Sequence, residues 1–185
     1  MATTHTSKSK SGSKTRSKSS SRSKSAATRS GEQNAIQLLK ADHREVEGMF
    51  SQFEKTNGMA TKAKLAEQIC LALKVHTQIE EEIFYPAARD ALSDEEMVDE
   101  AVVEHAAAKD LIAEIEAMEP GEDLFDAKVK VLSEQIEHHV EEEEKEMFPK
   151  LQKTDMDMRA LGVRMAQRKT ELMSSMARPN GQRIQ

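Results

Sequence analysis

The sequence has few of the residues that cross-link secreted proteins or span membranes. Cys70 is its single cysteine, so no disulfide can form within the chain and nothing marks an oxidising compartment. No apolar run approaches the ~18 residues that cross a bilayer, and the first residues contain no hydrophobic signal segment. These absences predict a cytoplasmic protein with no membrane span, in which Cys70 is a packed thiol.

Aromatic residues and turn formers are also scarce. Tryptophan is absent, aromatic residues make up 3% of the chain, and there are four prolines and seven glycines in 185 residues. Because strands are enriched in aromatic and β-branched residues, this composition favours an all-α fold. Four helices are predicted, over residues 32–55, 60–91, 93–118 and 123–148. Pro86 is expected to kink the second helix or end it early, and Pro149 to close the fourth.

The spacing of these helices predicts their arrangement. Because the connections are short, neighbouring helices should run antiparallel, as in an up-and-down four-helix bundle over residues 32–152. Residues 153–185 follow, where Met158, Leu161 and Met165 recur at helical spacing. They predict an extra C-terminal amphipathic helix that packs on the bundle. A partner or dimer surface is the alternative reading, and the oligomeric state stays open.

Charge is divided unevenly along the chain. Residues 1–30 contain eight lysines and arginines and no acid, whereas 19 basic and 33 acidic residues follow. A Ser/Lys-rich segment of this kind buries too little apolar surface to fold, so residues 1–31 are predicted to be a disordered basic tail. Such a tail could bind nucleic acid or another polyanion, lie against the acidic remainder, or aid solubility.

Two segments of the chain repeat the same pattern of metal-binding residues. The eleven residues from His76 to Pro86 align without a gap on those from His139 to Pro149 and keep HxxxE, a second Glu and the Pro in register. One more histidine precedes each segment, His43 in the first case and His105 in the second. The doubled pattern supplies four histidines and two glutamates, which are ligands for iron, manganese or zinc.

Helical geometry places these residues on apolar faces. At about 100° per residue, two residues four apart lie about 40° apart on a helix surface, so Glu80 shares a face with His76 and Glu143 with His139. The candidate ligands interrupt the apolar stripes of four helices and should point into the core. They are His43, His76, Glu80, His105, His139 and Glu143. Since unpaired carboxylates in a core are costly, a pair of cations between them would remove the penalty.

Explanations without a metal are reasonable for any one of these residues, but less so for all six together. A lone core histidine is usually hydrogen-bonded, and a lone HxxxE is often a surface pair. A ferritin-like site would need Glu three residues before each ligand histidine, and none of the histidines has it. His138 points about 100° away from His139 and is expected to be a partly exposed neighbour. Glu47, Glu81 and Glu144 stay open as residues that support the ligands rather than bind metal.

The six residues and their spacing resemble the hemerythrin-like, HHE cation-binding domain, over about residues 33 to 152. The resemblance implies an antiparallel four-helix bundle with a non-haem di-iron site, two irons per chain, bridged by Glu80 and Glu143. Oxygen-carrying members of that family have an HxxxH pattern on the third helix. Four residues after His105 this chain has Lys109 in place of the second histidine. Their fourth helix places its carboxylate five residues after the histidine, whereas this chain offers Glu143 at four and Glu144 at five; Glu143 is chosen because it matches Glu80 of the other copy. With one imidazole fewer, a reactive or sensing site is favoured over oxygen carriage.

Three functions follow as hypotheses. The first is a di-iron protein that binds or reacts with dioxygen, peroxide or nitric oxide in oxygen or iron sensing or oxidative stress response, with catalase-like or oxidase activity as its enzymatic form. The second is a binding module that reports iron or oxygen by ordering its bundle. The third is a DNA-associated structural or stress protein that acts through its basic tail, with the metal site auxiliary.

Overall fold

The computed structural model describes Met1 and residues 33–92 and 95–176, and all regular structure in these ranges is helical. The elements are α1 (Ala35–Lys55), α2 (Met59–Ile79), a π-helical turn π1 (Glu80–Phe84), α3 (Tyr85–Ala91), α4 (Glu96–Glu116), α5 (Phe125–Glu142), a second π-helical turn π2 (Glu143–Met147), α6 (Phe148–Leu151) and α7 (Met158–Met176). The predicted all-α fold is confirmed. The predicted basic tail and the predicted helix start at residues 93–94 lie outside the described residues.

Local sequence explains how the first helix begins. Asn34 is the N-cap residue of α1, and its side chain accepts a hydrogen bond from the backbone N–H of Gln37 at 2.9 Å. The side chain of Gln37 accepts in return from the backbone N–H of Asn34 at 3.2 Å. This reciprocal pair satisfies two N–H groups that a helix start leaves without partners. It fixes the start of the helix that carries His43.

The two prolines of the repeat lie inside continuous helices. In π1 the backbone N–H of Tyr85 bonds to the carbonyl of Glu80, five residues back, and in π2 that of Phe148 bonds to Glu143. A proline lacks an N–H and its ring crowds the carbonyl four residues before it, so the wider π turn accommodates Pro86 and Pro149. The prediction that Pro149 closes the fourth helix is wrong, because α6 continues to Leu151.

Four helical rods form the bundle, and α7 packs on its outside. The rods are α1, α2 with π1 and α3, α4, and α5 with π2 and α6. Each packs against two others, α1 against α2 and α5, and α4 against α2 and α5, while α7 lies on α1, α2 and π1. Apolar side chains form two separate clusters, one around Phe84 and Phe148 and one around Leu73 and Leu132. Every candidate ligand lies between them.

A glycine lets α7 lie close to the start of α1. A Cβ built at Gly162 of α7 would come within 2.5 Å of the carbonyl oxygen of Gln33 and 2.7 Å of the backbone nitrogen of Ala35. Backbone atoms at this distance cannot move aside like a flexible side chain. The contact also brings Lys169 of α7 within 2.5 Å of Asp42 on α1.

Replacing Gly162 should weaken the packing of α7 against α1. We expect Gly162→Ala to lower the free energy of unfolding by about 1–3 kcal/mol, because the added methyl group overpacks a backbone contact. The matched control is Gly48→Ala in α1, where a Cβ meets nothing within 4 Å. That control should instead gain about 0.5–1 kcal/mol, since alanine is the better helix former. Chemical denaturation measures both, and equal effects would contradict the close packing of α7.

Two smaller predictions concern Cys70 and membranes. The Cys70 side chain is buried in the apolar cluster of α2, and burial raises the pKa of its thiol to about 12. The group is therefore a neutral packed thiol at physiological pH. None of the helices in the described ranges has the length and apolar character needed to cross a membrane.

Candidate metal centre

All six candidate ligands meet in the middle of the bundle. His43 comes from α1, His76 from α2, His105 from α4 and His139 from α5, while Glu80 and Glu143 are the first residues of the two π turns. Each of the six is at most 6% exposed, and Glu80 is fully buried. The four helices thus bring together residues as far apart in sequence as His43 and Glu143.

The histidines form two pairs, and each carboxylate touches one member of both. The ring centres of His43 and His76 lie 4.9 Å apart, and those of His105 and His139 lie 4.7 Å apart. Oε2 of Glu80 is 3.1 Å from Nε2 of His76 and 3.4 Å from Nε2 of His105. On the other side, Oε2 of Glu143 is 3.4 Å from Nε2 of His43 and 3.8 Å from Nε2 of His139. Both carboxylates therefore sit where they could bridge two cations.

Each histidine turns its other nitrogen, Nδ1, toward a second carboxylate. We call these four residues the outer carboxylates. The Nδ1 contacts are His43 with Glu144 at 2.9 Å, His76 with Asp42 at 3.6 Å, His105 with Glu81 at 3.1 Å, and His139 with Glu104 at 2.8 Å. A carboxylate at Nδ1 favours the tautomer that carries its proton there. The Nε2 lone pairs are then left facing inward, as in metal-binding histidines.

Basic side chains support three of the outer carboxylates. Arg44 and Lys40 reach Glu144 at 2.7 and 3.3 Å. Lys169 of α7 reaches Asp42 at 2.5 Å. Lys109 donates to both oxygens of Glu81, at 2.5 and 2.6 Å. Lys109 occupies the fourth position after His105, where the HxxxH pattern has its second histidine. It orients the carboxylate of Glu81, which contacts His105.

Most of the inward-facing atoms receive no hydrogen bond from the described residues. The Nε2 atoms of His105 and His139 face one another at 3.1 Å, so in their neutral Nδ1–H forms two lone pairs would point together unless a proton or cation lies between them. Several buried atoms have no hydrogen-bond partner among residues 33–92 and 95–176: both oxygens of Glu80, Oε2 of Glu143, and Nε2 of His43 and of His76. Buried acceptors of this kind are costly when unpaired. Imidazole and carboxylate atoms facing one centre fit a pair of divalent cations.

Burial and mutual repulsion shift the titration of the carboxylate pair. Burial raises the pKa of Glu80 well above its ordinary value, and the charge of Glu143 adds to the increase. Burial alone would raise the pKa of Glu143 too, but His139 and His43 outweigh it and lower that pKa. Glu143 is therefore the carboxylate that stays ionised, and Glu80 is the one that takes up a proton when no cation is present.

The pKa values of the imidazoles are also shifted in opposite directions. Burial lowers the pKa of His76 and lowers that of His105 to about 2, so both are neutral. For His139 burial acts in the same direction, but Glu143 and Glu104 outweigh it and raise the pKa. In the cation-free site Glu80 therefore holds a proton, and His139 keeps its second proton more readily than an ordinary imidazole does. A cation that binds there must displace them.

Tyr85 also reaches the centre, although it was not among the site residues predicted from the sequence. Its side chain is 2% exposed, and its hydroxyl donates to Oε1 of Glu143 at 3.1 Å and lies 3.2 Å from Nε2 of His105. Burial and the charges of Glu143 and Glu80 raise the pKa of this phenol well above its ordinary value. The signal was present in the repeat, because Tyr85 aligns with Phe148 and is the single tyrosine of the chain.

The structure also shows which of the neighbouring polar residues contact the ligand histidines and which do not. Glu81 and Glu144 do contact ligand histidines, whereas Asp42 and Glu104 do so without having been identified from the sequence. The expectation that Glu47 faces inward is wrong: it is exposed and pairs with Arg44. The side chain of His138 is 65% exposed, in line with its predicted role as a neighbour.

A buried cluster of four histidines and two glutamates inside a helical bundle defines a class of metal-binding domain. The chain belongs to the family of the hemerythrin HHE cation binding domain, whose family model matches residues 34–151. Within this family the buried His/Glu cluster indicates metal binding.

Individual relatives agree on the fold and the domain. A hemerythrin HHE cation binding domain-containing protein from Mycobacterium kansasii has a crystal structure that matches with a TM-score of 0.66 and 25% identity, over 78% of this chain and 90% of that one. An uncharacterized hemerythrin-like protein of Schizosaccharomyces pombe is 26% identical over 60% of this chain and 56% of its own length. A protein of Nostoc sp. named DNA nickase is 26% identical over 63% of this chain and 33% of its own length. The chain thus spans about a third to about a half of these two curated relatives.

Proposed function

We propose that this protein is a non-haem di-iron protein that binds or reacts with dioxygen, peroxide or nitric oxide, in oxygen or iron sensing or in oxidative stress response. The observation that carries the proposal is the set of buried, inward-facing nitrogen and oxygen atoms for which the described part of the chain offers no hydrogen-bond donor. Two cations would satisfy them together. Iron is favoured over manganese and zinc by the family, since the donor set suits all three.

Each side of the centre has two histidines and one glutamate of its own, and each glutamate would also be shared with the other side. His43, His76 and Glu80 would hold one cation, and His105, His139 and Glu143 the other, with both carboxylates bridging. When bound, a pair of irons supplies redox chemistry and open positions for small ligands. Tyr85 would contribute a phenol oxygen beside Glu143 and His105, where it could bind a cation or donate its proton to a ligand.

The outer carboxylates would do the positioning. Glu144, Glu81 and Glu104 would accept the Nδ1 protons of their histidines and so keep the Nε2 atoms facing the cations, while Asp42, at 3.6 Å, faces Nδ1 of His76. Because Lys169 of α7 contacts Asp42, the fifth helix would share in this positioning. The apolar clusters on either side would exclude bulk water from the ends of the site.

Metal analysis and peroxide turnover test the proposal together. The purified protein should carry two irons per chain, and the oxidised form should absorb in the near ultraviolet. If the catalase-like form of the proposal holds, the iron-loaded protein should convert hydrogen peroxide to water and dioxygen over many turnovers, as followed by an oxygen electrode.

The matched pair of variants is His139→Ala and His138→Ala, two adjacent histidines of which one is buried and one exposed. His139→Ala should lose turnover by at least a hundredfold, whereas His138→Ala, loaded to completion, should keep it. An iron-loaded protein inert to peroxide excludes the catalase-like form and leaves binding or sensing of dioxygen or nitric oxide. A protein that retains no iron refutes the proposal as a whole.

Nucleic-acid binding is a second candidate, and two observations favour it. Residues 1–30 carry eight basic residues and no acid, and one relative of the domain is named a DNA nickase. Binding through lysine and arginine alone would be insensitive to sequence and steeply dependent on salt. The full chain should then retard duplex DNA at low salt, and the chain without residues 1–30 should not. Equal mobility with both chains would contradict this role.

A further inference from the structure

A solvent-open cleft reaches the buried centre from one side of the bundle. It has a volume of about 210 Å³ and lies between α4 and the rod of α5, π2 and α6. His139 and Glu143 form part of its lining, so it reaches two of the proposed ligands. Within the described ranges, Oε2 of Glu143 accepts no hydrogen bond, and the side chain is 1% exposed. The cleft thus reaches a buried carboxylate that has one unpartnered oxygen.

The lining of this cleft is strongly acidic. Six of its eleven residues are glutamates: Glu96, Glu100, Glu104, Glu142, Glu143 and Glu146. Lys150 is the basic residue among them. Walls of low dielectric constant and a single sign of charge focus the electric field and raise the local concentration of counter-ions. A cleft of this composition attracts cations and repels anions.

Three side chains near the cleft can hold a cation before it reaches the centre. Glu104, His138 and Glu142 each offer one ligand atom, and these atoms lie within 4.8 Å of one another. Nε2 of His138 is 3.2 Å from Glu142 and 3.9 Å from Glu104. The other oxygen of Glu104 lies 2.8 Å from Nδ1 of His139. Glu104 therefore links the partly exposed trio to the buried centre.

Among the residues that the structure describes, apolar side chains fill both ends of the bundle. On each of the four rods the ligand lies between residues of the two apolar clusters, with Leu39 and Val46 flanking His43 on α1 and Ala101 and Ala108 flanking His105 on α4. Carrying a divalent ion through such side chains would cost many kcal/mol of lost hydration. A side path lined with carboxylates replaces water molecules stepwise.

We propose that this cleft is the path by which divalent cations reach the buried centre, and that Glu104, His138 and Glu142 form a transient cation site at its mouth. The inference rests on the proposed metal centre, since it concerns how that centre is filled. Substitution at the mouth should therefore change the rate of loading and leave the final occupancy unchanged.

Stopped-flow mixing of metal-free full-length protein with Co²⁺ tests the path, because bound Co²⁺ absorbs visibly. The double variant His138→Gln/Glu142→Gln should load at least tenfold more slowly than wild type and reach the same final occupancy. Glu137→Gln, an exposed residue of the same helix with the same change in charge, should load at the wild-type rate. The wild-type rate should also fall steeply with added salt, since screening weakens the attraction.

The outcomes separate this inference from the proposed function. If the double variant loads as fast as Glu137→Gln, the cleft is an acidic surface only and the inference is overturned. If its final occupancy falls as well, the trio belongs to the final site, which also overturns a transient role. If wild-type protein binds no Co²⁺ and no Fe²⁺ at all, the metal centre itself is refuted, independently of the path.

Discussion

Adding Fe²⁺ in excess over two equivalents, under anaerobic conditions, to the metal-free protein is expected to raise its melting temperature by roughly 10 °C or more. A ligand present at about 1,000 times its dissociation constant stabilises the folded state by about 4 kcal/mol, and 1 kcal/mol shifts the melting temperature of a chain of this size by about 2–4 °C. Scanning calorimetry with and without metal measures the difference. Equal melting curves would mean that the buried donors hold no cation.

Glu80→Gln should stabilise the metal-free protein and remove most of the stabilisation that added metal provides. In the metal-free protein the Glu80 side chain is fully buried with neither oxygen hydrogen-bonded and with Glu143 nearby, so a neutral amide of the same shape should stabilise the fold by on the order of 1–2 kcal/mol. With metal, the same variant should lose most of the stabilisation, because a bridging carboxylate is gone. Glu45→Gln, exposed on α1, is the matched control and should change neither value.

The pH dependence of the metal-free protein gives a second measure of the same group. The folded pKa of Glu80 is raised, so the folded state holds this proton more tightly than the unfolded state does. Its contribution to stability is complete below the unfolded pKa and is lost as the pH rises through the folded pKa. Glu80→Gln should therefore flatten the fall in stability of the metal-free protein on the alkaline side of about pH 4.3.

Tyr85→Phe is expected to change the colour of the oxidised protein. If the phenol oxygen binds iron, the ferric form should show a phenolate-to-iron charge-transfer band in the visible range, and the variant should lose it completely. The assignment is unambiguous, since Tyr85 is the single tyrosine in the chain. The fold should tolerate the change, because Phe148 already occupies the equivalent place of the other repeat and is 1% exposed.

Two readouts distinguish the roles of this phenol. Iron content should stay at two per chain, since the histidines and carboxylates remain. The metal-free variant should lose about 1 kcal/mol of stability, as expected for the hydrogen bond to Glu143. A visible spectrum identical to wild type would show that the phenol does not bind iron and serves only to hold Glu143.

The sequence predicted the six inward-facing residues because they follow the period of their own helices. His76 and Glu80, like His139 and Glu143, are four residues apart, and the repeat doubled the signal. Asp42 and Glu104 could not be identified in this way. Each supports a histidine on another helix, so its role depends on how the helices pack and not on spacing within one.

Glu47 shows where the same arithmetic fails. Its position, about 40° from His43, suggested an inward orientation. However, α7 packs against the other side of α1 and buries Leu38 and Asp42, so the buried face is centred on that side of His43. Glu47 is left at the solvent edge. The π turns were missed for a similar reason, because a regular period of 3.6 residues contains no room for their extra residue.

The π turns fix the length of the chain between each bridging glutamate and the aromatic ring that follows it. Tyr85 lies five residues after Glu80, and Phe148 five residues after Glu143, and in each interval one hydrogen bond closes a wider ring. Deleting one residue here would restore an ordinary α-helix, in which the ring of the following proline crowds the carbonyl four residues before it. These two intervals should therefore tolerate amino-acid exchange far better than insertion or deletion.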